Sequence, residues 1–351
     1  MNMLSTLTGD PPYVIAEAGV NHNGELDMAK DLIDAAANAG ANAVKFQTFS
    51  AERLVSKTAS TAEYQQEQTG IKNQHKMLRQ YELDRSDHEE LQSHCESQGI
   101  TFLSTPFDPE SVDMLVDLDV PALKIGSGEL DNYPLLDHVA ETGLPMIVST
   151  GMGTLDEVKS AYNRIKATDS SADVVFLHCT TSYPCALEDV NLRAMKTMAE
   201  ELPVPIGYSD HTTLPETPAL AVAAGATVVE KHFTMDRSLS GPDHEASLEP
   251  DELAHAVDLV ETAATVLGSA EKGPTSNELE TMERVRKGLH AASDIPAGTK
   301  IGVDHIDVLR PATGLSPSRY DDIIGSRLSD DIAVGDPITA RYIENIEETE
   351  N

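Results

Sequence analysis

Short apolar runs alternate with longer amphipathic stretches from residue 13 to about residue 268. The apolar runs have the length and flanking turn residues of β-strands, and the stretches between them repeat apolar positions at helical spacing. The predicted strands are YVIAEAGV, AVKFQT, TFLSTPF, ALKIGS, PMIVST, VVFLHCT, PIGYSDH and VVEKHFT. The predicted helices include residues 28–39, 87–98, 109–118, 155–167, 191–201, 215–224 and 250–267.

Eight strand-and-helix units in about 255 residues match the size of a TIM barrel, which is typically ~250 residues. A doubly wound sheet would favour a G-x-G-x-x-G first turn, and the first turn here, AGVNHNG, lacks it. The pattern therefore predicts an α/β fold with a TIM (β/α)8 barrel over residues 12–268. One polar, Gln-rich insertion, residues 50–81, follows the second strand and fits either an active-site lid or a solvent-exposed loop.

A different kind of sequence follows the barrel. We predict a linker over residues 269–283 and a small β-rich domain over residues 284–345, where short β-like runs are broken by turns. The fragments DIPAGTKI and DIAVGDPI repeat one pattern in it. Because so small a module is marginally stable alone, we expect it to dock on another part of the protein.

Polar residues occupy the carboxyl ends of all eight predicted strands, where a TIM barrel builds its active site. His211 and His232 end the last two strands, so both imidazoles can face one mouth, with Glu17 on the adjacent first strand. Such a pair suits a divalent metal ion, with His178 as a reserve ligand. The alternative for each histidine is a structural, hydrogen-bonded role.

Two of the few lysines also lie at strand ends. Lys45 and Lys124, with neighbouring hydroxyl groups and the Gly126–Gly128 turn, predict a pocket for a phosphorylated substrate. The alternative is a salt bridge of each lysine to Glu17 or Glu129. With a metal nearby and Glu129 as an internal acid, the residues indicate carbonyl chemistry on a phosphorylated three-carbon unit.

Charge and cysteine content narrow the function classes further. The formal net charge is −34, from 59 acidic and 25 basic residues, which argues against nucleic-acid and anionic-membrane partners. The scattered acidic residues indicate a protein of a high-salt cytoplasm. The chain shows no apolar run of about 18 residues, no signal-peptide pattern and no C-x-x-C pair among its three cysteines. We therefore expect a cytoplasmic protein.

A set of motifs carries a family resemblance. IAEAGVNHNG, VKFQT, STPFD, KIGSGE, STGM, HCTTSYP, GYSDHT, EKHFT and GPDH occur in this order, and RPATGLSP lies in the C-terminal module. Together they resemble the sialic acid synthase family, with a C-terminal antifreeze-like (SAF) domain. The resemblance implies an enzyme that condenses phosphoenolpyruvate (PEP) with an N-acylated mannosamine-type sugar to a nonulosonic acid and releases phosphate.

The resemblance also implies roles for individual residues. His211 and His232 match ligands of Mn²⁺ or Mg²⁺, and Glu17 matches a glutamate that orients a water molecule for addition to the substrate. Arg310 matches an arginine that the SAF domain inserts into the partner's active site, which implies a domain-swapped homodimer. The positions that match PEP-binding residues are Lys45, Thr105, Lys124, Ser127 and Ser209, and those that match sugar-binding residues are Gln47, Glu129, Tyr183 and Asp243.

One site position departs from the family pattern. Many members carry Asn where this chain has Thr181, and a shorter residue leaves room for a second acetamido group on the sugar. With the segment GPDHEASLEP, this favours 2,4-diacetamido-2,4,6-trideoxymannose, and so N,N'-diacetyllegionaminate as product, over N-acetylmannosamine.

Two other function classes remain open at this point. One is a Schiff-base aldolase that uses Lys124 or Lys45, and the other is a non-enzymatic sugar-binding protein. Lys231 has no assigned role in any of these interpretations. It is expected to pair with Glu230 or a neighbouring carboxylate.

Overall fold

The structure is a computed structural model that describes residues 11–344, apart from the side chains of residues 63 and 64. Within this range eight parallel strands form one sheet in the order β3-β2-β1-β8-β7-β6-β5-β4. The strands β3 and β4 approach each other across the remaining gap, so the sheet is a nearly closed barrel. The strands are β1 (Tyr13–Gly19), β2 (Ala43–Thr48), β3 (Thr101–Pro106), β4 (Leu123–Ile125), β5 (Met146–Ser149), β6 (Val174–His178), β7 (Ile206–Asp210) and β8 (Val228–His232).

Helices follow the strands, as expected for a TIM barrel. The helices of the barrel unit are α1 (Leu26–Asn38), α2 (Ala51–Leu54), α3 (Glu63–Thr69), α4 (Gln74–Leu78), α5 (Arg85–Gln98), α6 (Pro109–Asp117), α7 (Tyr133–Glu141), α8 (Leu155–Thr168), α9 (Arg193–Glu201), α10 (Thr217–Ala223) and α11 (Pro250–Leu267). The predicted TIM barrel is therefore confirmed.

The barrel has two apolar layers because successive strand residues point to opposite faces. One layer fills the barrel interior and includes Ile15, Leu103 and Val228. The other lies between strands and helices and includes Val14 and Val229. The same alternation continues into the polar strand ends and decides which of their side chains enter the mouth.

Two segments contain more helix than their sequences predicted. The insertion after β2 forms α2, α3 and α4, and Met77 and Tyr81 pack with Val20 and Phe49 in a small buried cluster. The segment predicted as a linker contains most of α12 (Ser276–Val285), which begins with a Thr275 capping box.

Contacts divide the chain into two compact units, Met1–Gly268 and Ser269–Asn351. In the second unit β9 (Gly288–Ala291) pairs antiparallel with β10 (Ile306–Leu309), and the short helix α13 (Tyr320–Ile323) follows. Ten buried residues, including Leu289 and Ile338, form its own apolar core. The prediction that a small β-rich domain follows the barrel is thus confirmed.

The repeat in the second unit has a structural reason. Ile295 and Ile332, the equivalent residues of the two copies, exchange backbone hydrogen bonds of 2.8 and 3.0 Å. Asp294 and Asp331, one residue earlier, each accept a hydrogen bond from a backbone N–H of the other copy. The two copies therefore cap each other's turns, which explains the shared Asp-Ile pattern.

Two features of the described residues, the acidic surface and the length of the apolar helices, agree with the expectations from sequence. Among residues 11–344, the fully buried acidic side chains are Glu17, Asp108, Asp210, Glu230 and Asp243. The other described acidic side chains are at least partly exposed, which leaves a densely acidic surface. No helix in this range is both long and apolar enough to cross a lipid bilayer.

Candidate active site

The carboxyl ends of the barrel strands enclose a cavity of about 240 Å³. Its position agrees with the active-site end of a TIM barrel. Most of the residues that the sequence singled out line it: Glu17, Lys45, Gln47, Thr105, Lys124, Ser127, Thr181, Tyr183, Ser209, His211, His232 and Asp243.

Three residues singled out from the sequence are not among those that line the cavity. Glu129 lies in the 3-10 turn after β4, where its carboxylate accepts a 2.6 Å hydrogen bond from Asn132. Arg310 belongs to the second unit, directly after β10. His178 bonds the backbone oxygen of Val190 at 2.9 Å, so the structure does not support it as a reserve metal ligand.

Lys45 is the centre of a charge cluster on the cavity floor. Its ammonium lies 2.6 Å from Glu17 Oε2 and 3.7 Å from Glu230 Oε2, and it donates a 2.9 Å hydrogen bond to Thr105. The three charged side chains are buried. The two carboxylates therefore offset the charge of the buried Lys45 ammonium, and the Thr105 hydroxyl replaces one of its hydrogen bonds to water.

Lys124 enters the same cluster from β4. It donates a 2.7 Å hydrogen bond to Ser149 and lies 3.7 Å from Glu230 Oε1. Ser209 donates a 2.9 Å hydrogen bond to the same oxygen of Glu230. Glu230, on β8, therefore lies between two lysines and a hydroxyl group that come from three other strands, β2, β4 and β7.

The two carboxylates have opposite pKa shifts although both are buried. Burial raises the pKa of Glu17 to about 7, against the attraction of Lys45. Burial also opposes ionisation of Glu230, but Lys124 and Lys45 outweigh it and lower the pKa of this carboxyl to about 2. The floor thus combines a permanent anion, Glu230, with a group that can exchange a proton near neutral pH, Glu17.

His211 and His232 stand side by side at the ends of β7 and β8, with ring centroids 5.5 Å apart. The ring of Tyr183 lies 4.2 Å from that of His211. Burial lowers the pKa of both imidazoles, and for His232 the nearby His211 adds to the effect. Both rings are therefore neutral, which is the form that binds metal ions.

The histidine pair fits a divalent metal ion. Nδ1 of His211 lies 2.6 Å from the backbone oxygen of Thr180, which fixes the ring and leaves Nε2 with only a 3.4 Å contact to Ser209. Nδ1 of His232 is buried and has no hydrogen-bond partner among the described residues. Within that range no set of three His, Cys, Asp or Glu side chains is arranged to hold a metal ion. An ion at this place would therefore need water or substrate oxygens in addition to the two imidazoles.

Gly19 allows the polar groups of Glu17, Gln47 and Asp243 to lie close together. Gly19 has a φ of +54°, at a register shift between β1 and β2. A Cβ atom there would lie 3.3 Å from Glu17 Oε1, 3.5 Å from Asp243 Oδ2 and 3.6 Å from Gln47 Nε2. Burial raises the pKa of Asp243 to about 6. Glu17, Gln47 and Asp243 therefore share one side of the cavity.

Thr181 packs tightly against the wall that carries Ser127. A Cβ atom on Gly151 would lie 2.2 Å from the Thr181 hydroxyl and 2.8 Å from the Ser127 hydroxyl. The backbone N–H of Gly151 donates a 3.0 Å hydrogen bond to Ser127, whose oxygen also lies 3.2 Å from the thiol of Cys179. The small side chain at 181 thus turns toward the wall.

The insertion after β2 supplies much of the remaining lining. Gln65, Met77, Leu78 and Tyr81 all face the cavity. Met77, Leu78 and Tyr81 form a mainly apolar side with Val20, Phe107 and Met152, in contrast to the charged floor. The insertion is therefore part of the site and not a detached surface loop.

Glu230 is the central residue that the site assignment from sequence missed. In VVEKHFT, period-two alternation places residues 228, 230 and 232 on one face of β8. Because His232 was assigned to the mouth, the same rule indicates that Glu230 faces it as well. Of the two partners expected for Lys231, Glu230 is wrong because Lys231 points to the opposite face, and a neighbouring carboxylate is confirmed, since Lys231 pairs with Asp210 at 2.6 Å.

The fold and the site define a class: a (β/α)8-barrel enzyme with a lysine-rich floor for an anionic substrate beside a histidine pair. Comparison with protein-family models agrees, since the NeuB family matches residues 32–272 and the SAF domain matches residues 286–344. The chain belongs to the NeuB family and carries a C-terminal SAF domain. The resemblance drawn from the motifs is confirmed.

Similar proteins span nearly the whole chain. The chain is 48% identical over 336 residues to N,N'-diacetyllegionaminic acid synthase of Legionella pneumophila, covering 95% of this chain and 94% of that protein. It is 35% identical to human N-acetylneuraminate-9-phosphate synthase, with 95% and 93% covered. Among solved structures, a citrate complex of N-acetylneuraminic acid (sialic acid) synthetase from Leptospira borgpetersenii matches with a TM-score of 0.70 and 37% identity, covering 78% of this chain and 91% of that one.

Glu17→Gln is expected to remove one contribution to the pH dependence of stability between pH 4.5 and pH 7, so that stability rises more, or falls less, with pH in the variant than in the wild type. Native Glu17 keeps its proton up to a pKa of about 7, whereas its ordinary pKa is 4.5. At this site the unfolded chain therefore binds fewer protons in this window, so the contribution of Glu17 to the free energy of unfolding falls as pH rises, whereas the buried histidines, whose pKa values are lowered, contribute the opposite slope. Glu230, with a pKa of about 2, is ionised in both states across the window.

Urea unfolding of the wild type and the variant at several pH values, in EDTA, measures this difference. Glu188 lies exposed in the turn Leu187–Asp189, so E188Q should keep the wild-type slope. Equal slopes for the wild type and E17Q would show that the pKa of Glu17 is not raised.

Proposed function

We propose that this protein is a nonulosonic acid synthase, which condenses PEP with an N-acylated mannosamine-type sugar and releases phosphate. The observation that carries the proposal is the cavity floor, where Lys45 and Lys124 lie buried among hydroxyl groups, next to two neutral histidines. Membership of the NeuB family supports it, as does the similarity to N,N'-diacetyllegionaminic acid synthase.

PEP is the substrate proposed for the floor. Lys45 and Lys124 would face its phosphate and carboxylate, and Thr105, Ser127 and Ser209 would donate hydrogen bonds. Before substrate binds, Glu17 and Glu230 balance the two lysines at 2.6 to 3.7 Å. The lysines are thus held in place before the substrate arrives, so little reorganisation accompanies the reaction.

The proposed metal ligands are His211 and His232, with water or substrate oxygens completing the coordination. A divalent ion held there, Mn²⁺ or Mg²⁺, would supply Lewis-acid polarisation of the sugar's aldehyde oxygen. The neutral imidazoles and the unpartnered Nδ1 of His232 support this assignment.

The side chains of the floor would guide the proposed reaction. C3 of PEP bonds to the aldehyde carbon, and Lys45 and Lys124 offset the charge of phosphate and carboxylate as C2 becomes electron-poor. Glu17, with its raised pKa, is proposed to orient the water that adds at C2 and to accept its proton. Phosphate then leaves by cleavage of its bond to C2. A proton-transfer role for Glu129 at the new alcohol also remains a proposal.

The sugar is proposed to be unphosphorylated and partly apolar. Gln47, Tyr183, Asp243 and Thr181, with Glu129 from the turn after β4, are the proposed sugar contacts. The apolar side formed by the insertion and its neighbours suits acetamido methyl groups and a deoxygenated C6. Among the described residues of one subunit the cationic side chains that line the cavity are the two lysines of the floor, so the barrel itself offers no separate lysine or arginine for a second phosphate. These features favour 2,4-diacetamido-2,4,6-trideoxymannose.

Phosphate release from PEP with Mn²⁺ in high salt tests the function. We expect release with the diacetamido trideoxy sugar at a higher kcat/KM than with N-acetylmannosamine, and loss of release in EDTA. H211A should abolish turnover because it removes one of two proposed metal ligands.

No release with either sugar would refute the synthase assignment. Full activity in EDTA together with borohydride trapping of substrate on Lys124 or Lys45 would instead establish the Schiff-base aldolase. Sugar binding without turnover, unaffected by H211A, would indicate a binding protein.

We further propose a domain-swapped homodimer, with 12–268 as catalytic barrel, 269–283 as connecting segment and 284–345 as the SAF domain. In it Arg310 of one subunit would complete the partner's sugar site. Arg310 lies on an exposed segment of a unit with its own core, which leaves its guanidinium available to another surface.

Mixing two inactive variants tests this arrangement. If Arg310 acts in the partner's site, dissociation and reassociation of R310A with H211A should form heterodimers with one intact site, giving about a quarter of wild-type activity in an equal mixture. If Arg310 acts within its own subunit, every site lacks one of the two residues, and the mixture should show no gain.

We also propose that the protein works in a cytoplasm of high salt. The acidic surface and the three free, buried cysteines support this environment. Salt screens repulsion between surface carboxylates, so the thermal midpoint should rise as KCl increases from about 0.1 M to about 2 M. A constant or falling midpoint, measured by circular dichroism, would contradict the proposal.

A further inference from the structure

Lys231 is buried next to the proposed metal site but does not face it. It lies on β8 between Glu230 and His232, whose side chains both line the cavity. Its own side chain, 2% exposed, points to the opposite face, between the strands and the helices. None of the steps proposed above uses it.

The Lys231 ammonium bonds the residues on both sides of His211. It lies 2.6 Å from Asp210 Oδ2, donates a hydrogen bond to the backbone oxygen of Thr212, and lies 3.3 Å from the Thr212 hydroxyl. Asp210 in turn accepts hydrogen bonds from the Thr212 backbone N–H at 2.9 Å and from the Tyr208 hydroxyl at 3.2 Å. One side chain of β8 therefore bridges the segment that carries His211.

The sheet itself does not supply this connection. The pairing of β7 with β8 ends at Asp210 and Lys231, and His211 is the residue after the end of β7. The backbone oxygen of His211 accepts a 2.8 Å hydrogen bond from Cys185, which follows β6. Beyond the last paired residues, the Lys231 ammonium connects the segment of His211 to β8, which carries His232.

We propose that Lys231 is a positioning residue that holds His211 and His232 at the separation a metal ion requires. The inference rests on the proposed metal site. A role in stability alone explains the arrangement poorly, because a buried ion pair can often be replaced by apolar residues without loss of stability. Residues that hold metal ligands in place without touching the metal ion, by contrast, commonly affect metal affinity.

Mn²⁺ binding to the double variant K231M/D210N, measured by calorimetry without substrate, tests the role. The double variant removes both charges together, so neither is left buried and unpaired. We expect its Mn²⁺ affinity to fall about tenfold or more. Half-activation should shift to higher Mn²⁺ concentration, and kcat should recover toward the wild-type value at saturating Mn²⁺.

V229A is the matched control. Val229 lies on the same strand and face as Lys231, is equally buried, and contacts the apolar layer under the helices. Its truncation should lower the thermal midpoint and leave Mn²⁺ affinity unchanged. Equal weakening by V229A would show that general loosening, and not the bridge of Lys231, sets the affinity, and would overturn the proposal.

Unchanged Mn²⁺ affinity in a folded K231M/D210N protein would also overturn it. Should that protein fail to fold, K231Q/D210N replaces it: both charges are again removed together, polar side chains of similar size remain, and affinity should fall more than in V229A. Absence of Mn²⁺ binding by the wild type would instead refute the metal site itself, and this inference with it.

Discussion

Two lysines and two glutamates neutralise each other on the floor of the barrel, and the rest of the site is arranged around them. An isolated charge in this position would be strongly disfavoured, because the barrel interior offers little solvation. Lys45 and Lys124 can stay inside because Glu17 and Glu230 lie within 2.6 to 3.7 Å. The attraction of the glutamates even raises the pKa of Lys45 against the effect of burial. The floor is therefore prepared for an anion before any substrate is present.

This local balance also resolves a conflict with the net charge. A protein with a formal charge of −34 repels anionic substrates at long range. Salt screens charges at the surface much more than pairs inside the protein. In a salt-rich solution a trianionic substrate would therefore meet a weak surface field and then a floor whose lysines act at short range. The acidic surface therefore acts on a substrate at long range, and the two lysines of the floor act on it at short range.

Features that are decided by residues close together in the sequence could be predicted. Features that are decided by contacts between residues far apart in the sequence could not. The strands were evident from their apolar runs, and the barrel order then brought His211, His232 and Glu17 to one end. The hydrogen bond between the Glu129 carboxylate and Asn132 could not be predicted, because it depends on the short 3-10 turn after β4, which no periodicity indicates. The short helices of the insertion depend on the cluster of Met77 and Tyr81 with Val20, since isolated helices of this length are unstable.

The ends of β7 and β8 show a constraint that apolar patterning cannot supply. Along most of the barrel both faces of a strand are apolar, so hydrophobicity alone does not distinguish the observed register from one shifted by one residue. At these ends both faces are polar and carry charged side chains. The observed register pairs Ser209 with Glu230 inside and Asp210 with Lys231 outside. Shifted by one residue, Asp210 would be paired with Glu230 or His232, and Lys231 would lose its counterion. The buried charges therefore select the same register that brings the two histidines together.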